Sequence, residues 1–219
     1  EIFMIPFYLL TKPKMAKSLL MYRIKTLNGA LEKAKMYGFC GAFYPWESQE
    51  GKEMCSKYNV TDAITGKPVR TYFNEQQIHI SADIVYAIEN YINYTGDKSI
   101  LKQGALDVMI EVFNFFKSYS ILKNNKYHIN DVIGPDEYHE RVNNNAFTNY
   151  MVEFCCRTLI KYLYENTDLY NEVLDFVDNL YLPKIQKNNL IEQFDGYFGL
   201  EKTTVDEVRS RLKHPNEYW

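Results

Sequence analysis

The stretch DVIGPDEYHERVNNN, residues 131–145, gathers Asp131, Asp136, Glu137, Glu140, a histidine, a tyrosine and three consecutive asparagines around a Gly-Pro pair. Asp136, Glu137 and Glu140 are candidate acids. Cleaving a glycosidic bond requires a carboxylic acid that protonates the departing oxygen. Such an acid must hold its proton near neutral pH, which apolar walls or a neighbouring carboxylate promote. Asp136 supplies adjacent negative charge, and Tyr138 can supply an apolar wall. Asn143, Asn144 and Asn145 offer amides that orient a carboxylate or bind hydroxyls. A plainer reading stands beside this one. The acids can be a helix N-terminus that complements the macrodipole, with asparagines as caps.

A second stretch, GAFYPWESQEG at 41–51, places Trp46 next to Glu47. An indole covers the apolar face of a sugar ring, and a carboxylate accepts paired hydrogen bonds from adjacent hydroxyls. Equally, Trp46 can pack the loop down and Glu47 can cap the next turn. His79, in EQQIHISAD, is a lone histidine, and a structural role is its simpler reading. No H-x-x-x-H or similar spacing points to a metal site. Lys67 and Arg70 can bind an anion, although surface solvation explains them as well.

These residues need elements to hold them. Apolar residues recurring at threes and fours predict helices over 13–37, 75–95, 97–121, 143–166 and 168–187, with a short sixth over 204–213. Asn124-Asn125 reads as a turn, and residues 127–129 as a short extended segment. The expected class is all-α. Two long loops, 39–74 and 123–142, are separated by two helices. They therefore emerge at one end and face one pocket.

Composition sets the outer limits. The 219 residues are 46% hydrophobic and 24% charged, with a formal net charge of −3. No basic run marks a nucleic-acid footprint. No run of about 18 apolar residues marks a membrane span. The opening EIFMIPFYLL lacks the basic segment of a signal peptide. Four cysteines without a CxxC pair read as buried free thiols in a reducing compartment, and so as cytoplasmic.

Taken as ordered strings, GAFYPWES, EQQIHISADI and VIGPDEYHERVNNNAFTNYM resemble the inverting phosphorylases of glycoside hydrolase family 65, which act on maltose, trehalose, kojibiose or nigerose. The first line, EIFMIPFYLLTKPKMAKSLLMYR, is similar as well. So are the later strings FDGYFGL and RLKHPNEYW, and the likeness runs over nearly the whole chain. The resemblance implies an (α/α)6-barrel catalytic domain, of which residues 1–219 are one part, cut at both ends. It implies transfer of an α-linked glucosyl unit to inorganic phosphate with inversion, giving β-glucose 1-phosphate and a released acceptor.

It also implies residue roles. Glu137 matches the general acid of the GPDE string. Trp46 and Glu47 match the pair that holds the glucosyl unit. Ser81 lies where a small hydroxyl residue approaches that sugar. Tyr138 and His139 flank the acid and join the substrate-binding set. No cofactor is implied beyond phosphate as co-substrate, and a homodimer is expected of the full-length protein. Two other readings remain open: a hydrolase of the same fold, similar to acid trehalase, and a helical fragment without activity. The segment SKYNVTDAITGKPVRTYFN, residues 56–74, is longer than in many members of that family. It borders the acceptor site, or it forms an outer loop or an oligomer contact.

Overall fold

The apolar period that begins at Pro13 builds two helices rather than one. In the computed structural model, which describes residues 1–58, 60–62, 64–186 and 189–212, α2 spans Pro13–Lys25 and α3 spans Leu27–Met36. Thr26 makes the break. Its hydroxyl donates back to the Tyr22 carbonyl at 2.8 Å, and side-chain bonds of this kind compete with the helix ladder. A helix over Met4–Thr11, α1, precedes them. Periodicity does not announce it, because it is apolar all round: Ile5 and Leu9 are buried while Phe7 and Leu10 are exposed.

The loop expected over 39–74 contains two small antiparallel hairpins. Strand β1 (Ser48–Gln49) pairs with β2 (Lys52–Glu53), and β3 (Val60–Thr61) pairs with β4 (Pro68–Val69). A third hairpin joins β5 (Ile121–Lys123) to β6 (Lys126–His128). Its turn residues, Asn124 and Asn125, have φ of 51° and 58°, the left-handed pair that a tight hairpin requires. The body is helical, about half of the chain, and the loops carry these small sheets rather than irregular backbone alone.

The helix expected from residue 75 is divided at Gln77. A short α4 (Phe73–Gln76) precedes α5 (His79–Thr95). Helix α5 is buried around most of its surface and packs against α7, α2, α6 and α1. A kinked turn at Leu101–Ala105 leads into α6 (Leu106–Tyr119), which starts later than its apolar pattern suggests. Helix α7 (Ala146–Ile160) starts at Asn145, whose side chain accepts from the Thr148 N–H at 3.1 Å. Helix α8 (Asp168–Asp178) is shorter than the 168–187 pattern. The chain beyond it is pulled alongside β6 by hydrogen bonds between Tyr127 and residues 179 and 181. A capping box at Thr204 and Glu207 opens α9 (Val205–Arg211). Most of RLKHPNEYW, from residue 213 on, lies outside the described residues.

Of the four cysteines, Cys55, Cys155 and Cys156 are buried thiols, whereas Cys40 is exposed. Among the described residues, no helix is long and apolar enough to cross a membrane.

Candidate active site

Glu137 sits where the two long loops meet. One carboxylate oxygen, Oε1, accepts a hydrogen bond from the Gln77 side-chain amide at 2.6 Å. The same junction is tied through the backbone, since the Ile133 N–H donates to the Gln76 carbonyl at 2.9 Å. This bond uses the carbonyl freed by the helix break at Gln77. Gly134 approaches Asn145 so closely that a Cβ there would lie 2.4 Å from its amide nitrogen. Glycine at that position thus lets the acid-bearing turn rest on the cap of α7.

Behind Glu137, Asp136 is held from several sides. His139 Nδ1 and Gln193 Nε2 both lie 2.9 Å from its Oδ2, and the Tyr138 N–H donates to Oδ1. Burial pushes the Asp136 carboxyl upward. The hydrogen bonds from Gln193, His139 and the Tyr138 backbone outweigh it and hold the group below the usual carboxylate range. The His139 ring packs on Phe194, with centroids 5.0 Å apart. Asn144 Nδ2 donates to Asp195 at 2.6 Å, and the Asp195 N–H donates to the Asn143 carbonyl. The FDGYFGL segment therefore buttresses the 131–145 turn. The asparagines are used on backbone and neighbouring side chains, not left as free amides.

The Trp46–Glu47 dipeptide is fixed from below by Glu53. Glu53 accepts from the backbone N–H groups of Trp46 (2.8 Å), Glu47 (3.1 Å) and Cys55 (3.0 Å). Lys33, itself buried, completes the site with its ammonium 2.7 Å from Glu53 Oε2. Gly41 anchors the start of this loop on α6. Its φ is +75°, and an added Cβ would fall 2.3 Å from the Glu111 carbonyl oxygen. The Trp46 ring stacks on Phe73 at 5.7 Å, in a small cluster that includes Ile133. Trp46 thus reaches the acid-bearing loop through Phe73 and Ile133.

A cleft of about 340 Å³ opens beside the acid. Val60, Val69 and Arg70 of the β3–β4 hairpin and Phe73 of α4 form one wall. Glu137, Tyr138 and Glu140 form the other. Arg70 is held by an ion pair with Glu75 and lies 4.3 Å from the Tyr72 ring centroid. Burial raises the Glu75 carboxyl, but Lys57 and Arg70 outweigh it and keep it below the usual range. At Glu140, burial pushes the carboxyl up and the nearby Arg70 charge only partly offsets it. Described residues of the 56–74 segment thus form one wall of the cleft.

Matching residues 1–218 is the family described as "Glycosyl hydrolase family 65 central catalytic domain". The chain belongs to that family. It is 51% identical to a nigerose phosphorylase of Lachnoclostridium phytofermentans over 100% of this chain and 32% of that protein. It is 38% identical to a 1,2-alpha-glucosylglycerol phosphorylase of Bacillus selenitireducens, over 100% of this chain and 31% of that protein. A solved structure designated a kojibiose phosphorylase, from the human microbiome, superposes with a TM-score of 0.77 at 26% identity. That superposition covers 89% of this chain and 29% of the other. This family 65 chain spans about a third of the length of the curated relatives it matches.

The other expected site residues are distributed unevenly in this family 65 domain. Tyr138 is exposed at the cleft wall. Glu47 is exposed, and His139 lies behind Asp136. Ser81 is fully buried, and its Oγ accepts from the Tyr44 N–H at 3.0 Å, two residues before Trp46. It touches the backbone of the loop that carries Trp46 and Glu47, and it is not among the cleft-lining residues. His79 pairs with Asp83 at 2.9 Å and lies edge-on to Phe147, inside the helical body. Among the described residues, no group of three or more His, Cys, Asp or Glu side chains is arranged to hold a metal ion.

Sequence reasoning passes over Glu53, Lys33, Gln77 and Gln193. Glu53, Gln77 and Gln193 contact a predicted site residue or its backbone, and Lys33 acts through Glu53.

Proposed function

We propose that this chain forms part of an (α/α)6-barrel catalytic domain that performs inverting phosphorolysis of an α-linked glucosyl disaccharide or glucoside. In this reading Glu137 protonates the glycosidic oxygen as the bond from that oxygen to C1 breaks. Inorganic phosphate attacks C1 from the opposite face, and β-glucose 1-phosphate forms with release of the acceptor sugar. Phosphate is itself the nucleophile, so one carboxylic acid is enough and no cofactor is needed. Trp46 and Glu47 hold the glucosyl unit, Tyr138 walls the site, and Ser81 and His139 support the loops that present them.

The observation that carries this reading is the Glu137 carboxyl, fixed by Gln77 on the wall of a cleft. The ordered cluster behind it, Asp136 with His139 and Gln193, supports the same assignment. The two relatives named above are phosphorylases, which favours phosphate over water as the acceptor of the glucosyl unit. A hydrolase of this fold would need a second carboxylate to activate water.

The test is an assay of the full-length protein with nigerose, kojibiose, trehalose and maltose, each with and without phosphate. Phosphate-dependent formation of β-glucose 1-phosphate is expected, with nigerose the first substrate to try. Release of glucose at full rate without phosphate contradicts the proposal.

A further inference from the structure

Gln77 makes a contact with Glu137 that no feature of the sequence requires. The residue is 3% exposed, and its amide lies 2.6 Å from the carboxylate. It occupies the break between α4 and α5, with φ −80° and ψ 64°. Its own N–H donates to the Phe73 carbonyl at 3.2 Å, and its neighbour's carbonyl accepts from Ile133. Ile133 is fully buried against Phe73 and Cys55, with Trp46 packed on the same cluster. Donor and acid are therefore mounted on two backbones joined four residues upstream of Glu137. The amide has little freedom to turn away.

We infer that Gln77 is a positioning residue for the proton donor. It holds Oε1 as an acceptor and leaves Oε2 to carry the proton towards the glycosidic oxygen. This inference rests on the proposed role of Glu137. The physical argument concerns charge. An N–H bonded to a neutral carboxylic acid is a modest hydrogen bond, whereas the same N–H bonded to a carboxylate is charge-assisted and stronger. The bond tightens as Oε2 delivers its proton and the carboxylate forms. It therefore stabilises the transition state more than the ground state, and it does so from a buried, already oriented dipole. An amide is suited to this because it does not titrate. A lysine or arginine at position 77 would instead hold the carboxylate ionised and remove the proton to be donated.

The sign of the pH effect follows. A donor to the charged form favours that form, so its loss keeps the acid protonated to higher pH. The full-length protein is assayed for phosphorolysis as wild type, Gln77→Met, Gln77→Glu and Glu137→Gln. Phosphate titrates identically in all four, so differences between profiles belong to the protein. Gln77→Met is expected to lower kcat about 10- to 100-fold. It should leave KM for the disaccharide nearly unchanged, and move the alkaline limb of kcat/KM upward by about one pH unit. Gln77→Glu, which keeps the shape and adds a negative charge, should move the limb upward further. If Gln77→Met does not fold, Gln77→Glu decides alone.

A fall in activity with the alkaline limb unmoved overturns the inference, because a merely structural role lowers the rate at every pH alike. The outcome for Glu137→Gln separates the two claims. Full activity in that variant sinks the role of Glu137 itself. An inactive Glu137→Gln beside unmoved limbs in the Gln77 variants sinks the Gln77 inference alone.

Discussion

The Lys33 ammonium lies 2.7 Å from Glu53 and 3.7 Å above the Phe43 ring centroid, a buried cation placed between a carboxylate and an aromatic face. Burial drives the Lys33 amine below its ordinary value, and the adjoining Glu53 charge opposes that shift. Because the same carboxylate accepts the backbone N–H groups of Trp46 and Glu47, this ion pair sets the height and direction of the proposed sugar-holding dipeptide.

Removing one member of a buried pair leaves the other uncompensated. Glu53→Gln is expected to destabilise the fold by about 3 kcal/mol. Lys33→Met, which leaves Glu53 with its three backbone donors, should cost about 1–2 kcal/mol. Chemical denaturation at neutral pH measures both. A Glu53→Gln midpoint equal to wild type contradicts this account of the loop.

Two glycines with similar backbone angles separate strain from collision. Gly38 has φ +81° with nothing within 4 Å of an added Cβ, whereas Gly41 has φ +75° and faces the α6 backbone. Gly38→Ala should cost about 1 kcal/mol, the left-handed penalty alone. Gly41→Ala should cost about 3 kcal/mol, since the loop must also lift from α6. Equal losses in thermal unfolding would show that the loop does not rest on Glu111 and Phe115.

Acid sensitivity is expected to trace in part to Glu89, which is 2% exposed and accepts from Lys161, Tyr162 and Asn93. Burial works to raise its carboxyl, and the bonds from Tyr162, Lys161 and Asn93 outweigh it and hold it low. A carboxylate held low in the folded state contributes stability that is present above its unfolded value, about 4.3. That contribution is lost as pH falls through the lower folded value. Wild type should therefore lose more stability than Glu89→Gln between about pH 5 and pH 3. Parallel losses in denaturant midpoint would remove Glu89 from the explanation.

Much of this fold can be read in the chain. The end of α5 before Gly96 and the start of α8 at Asp168 follow from local signals. So does the meeting of the two long loops, since two intervening helices return the chain to the same end. What could not be read are the breaks. Thr26 and Gln77 interrupt apolar patterns that run on through them, the first by its own hydroxyl on the Tyr22 carbonyl and the second beside a carbonyl that a distant group takes. The Gly51 turn lies under α3, and the Ile133 N–H takes the Gln76 carbonyl. The hairpins of 39–74 are only two residues per strand, too short for alternation to appear. In the candidate site, acids and tryptophan announce themselves by type. Their supports, Glu53, Lys33 and Gln77, are ordinary residues whose importance comes from long-range contact.

The central claim is that Glu137 donates the proton in phosphorolysis. The most direct measurement is kcat for Glu137→Gln in the full-length protein, with disaccharide and phosphate saturating and the fold checked by circular dichroism. The variant should lose about 10²–10⁴-fold in kcat, with its fold intact. A Glu137→Gln protein that turns over near the wild-type rate, or a Glu140→Gln protein that is crippled while Glu137→Gln is not, would move the acid elsewhere and contradict the account.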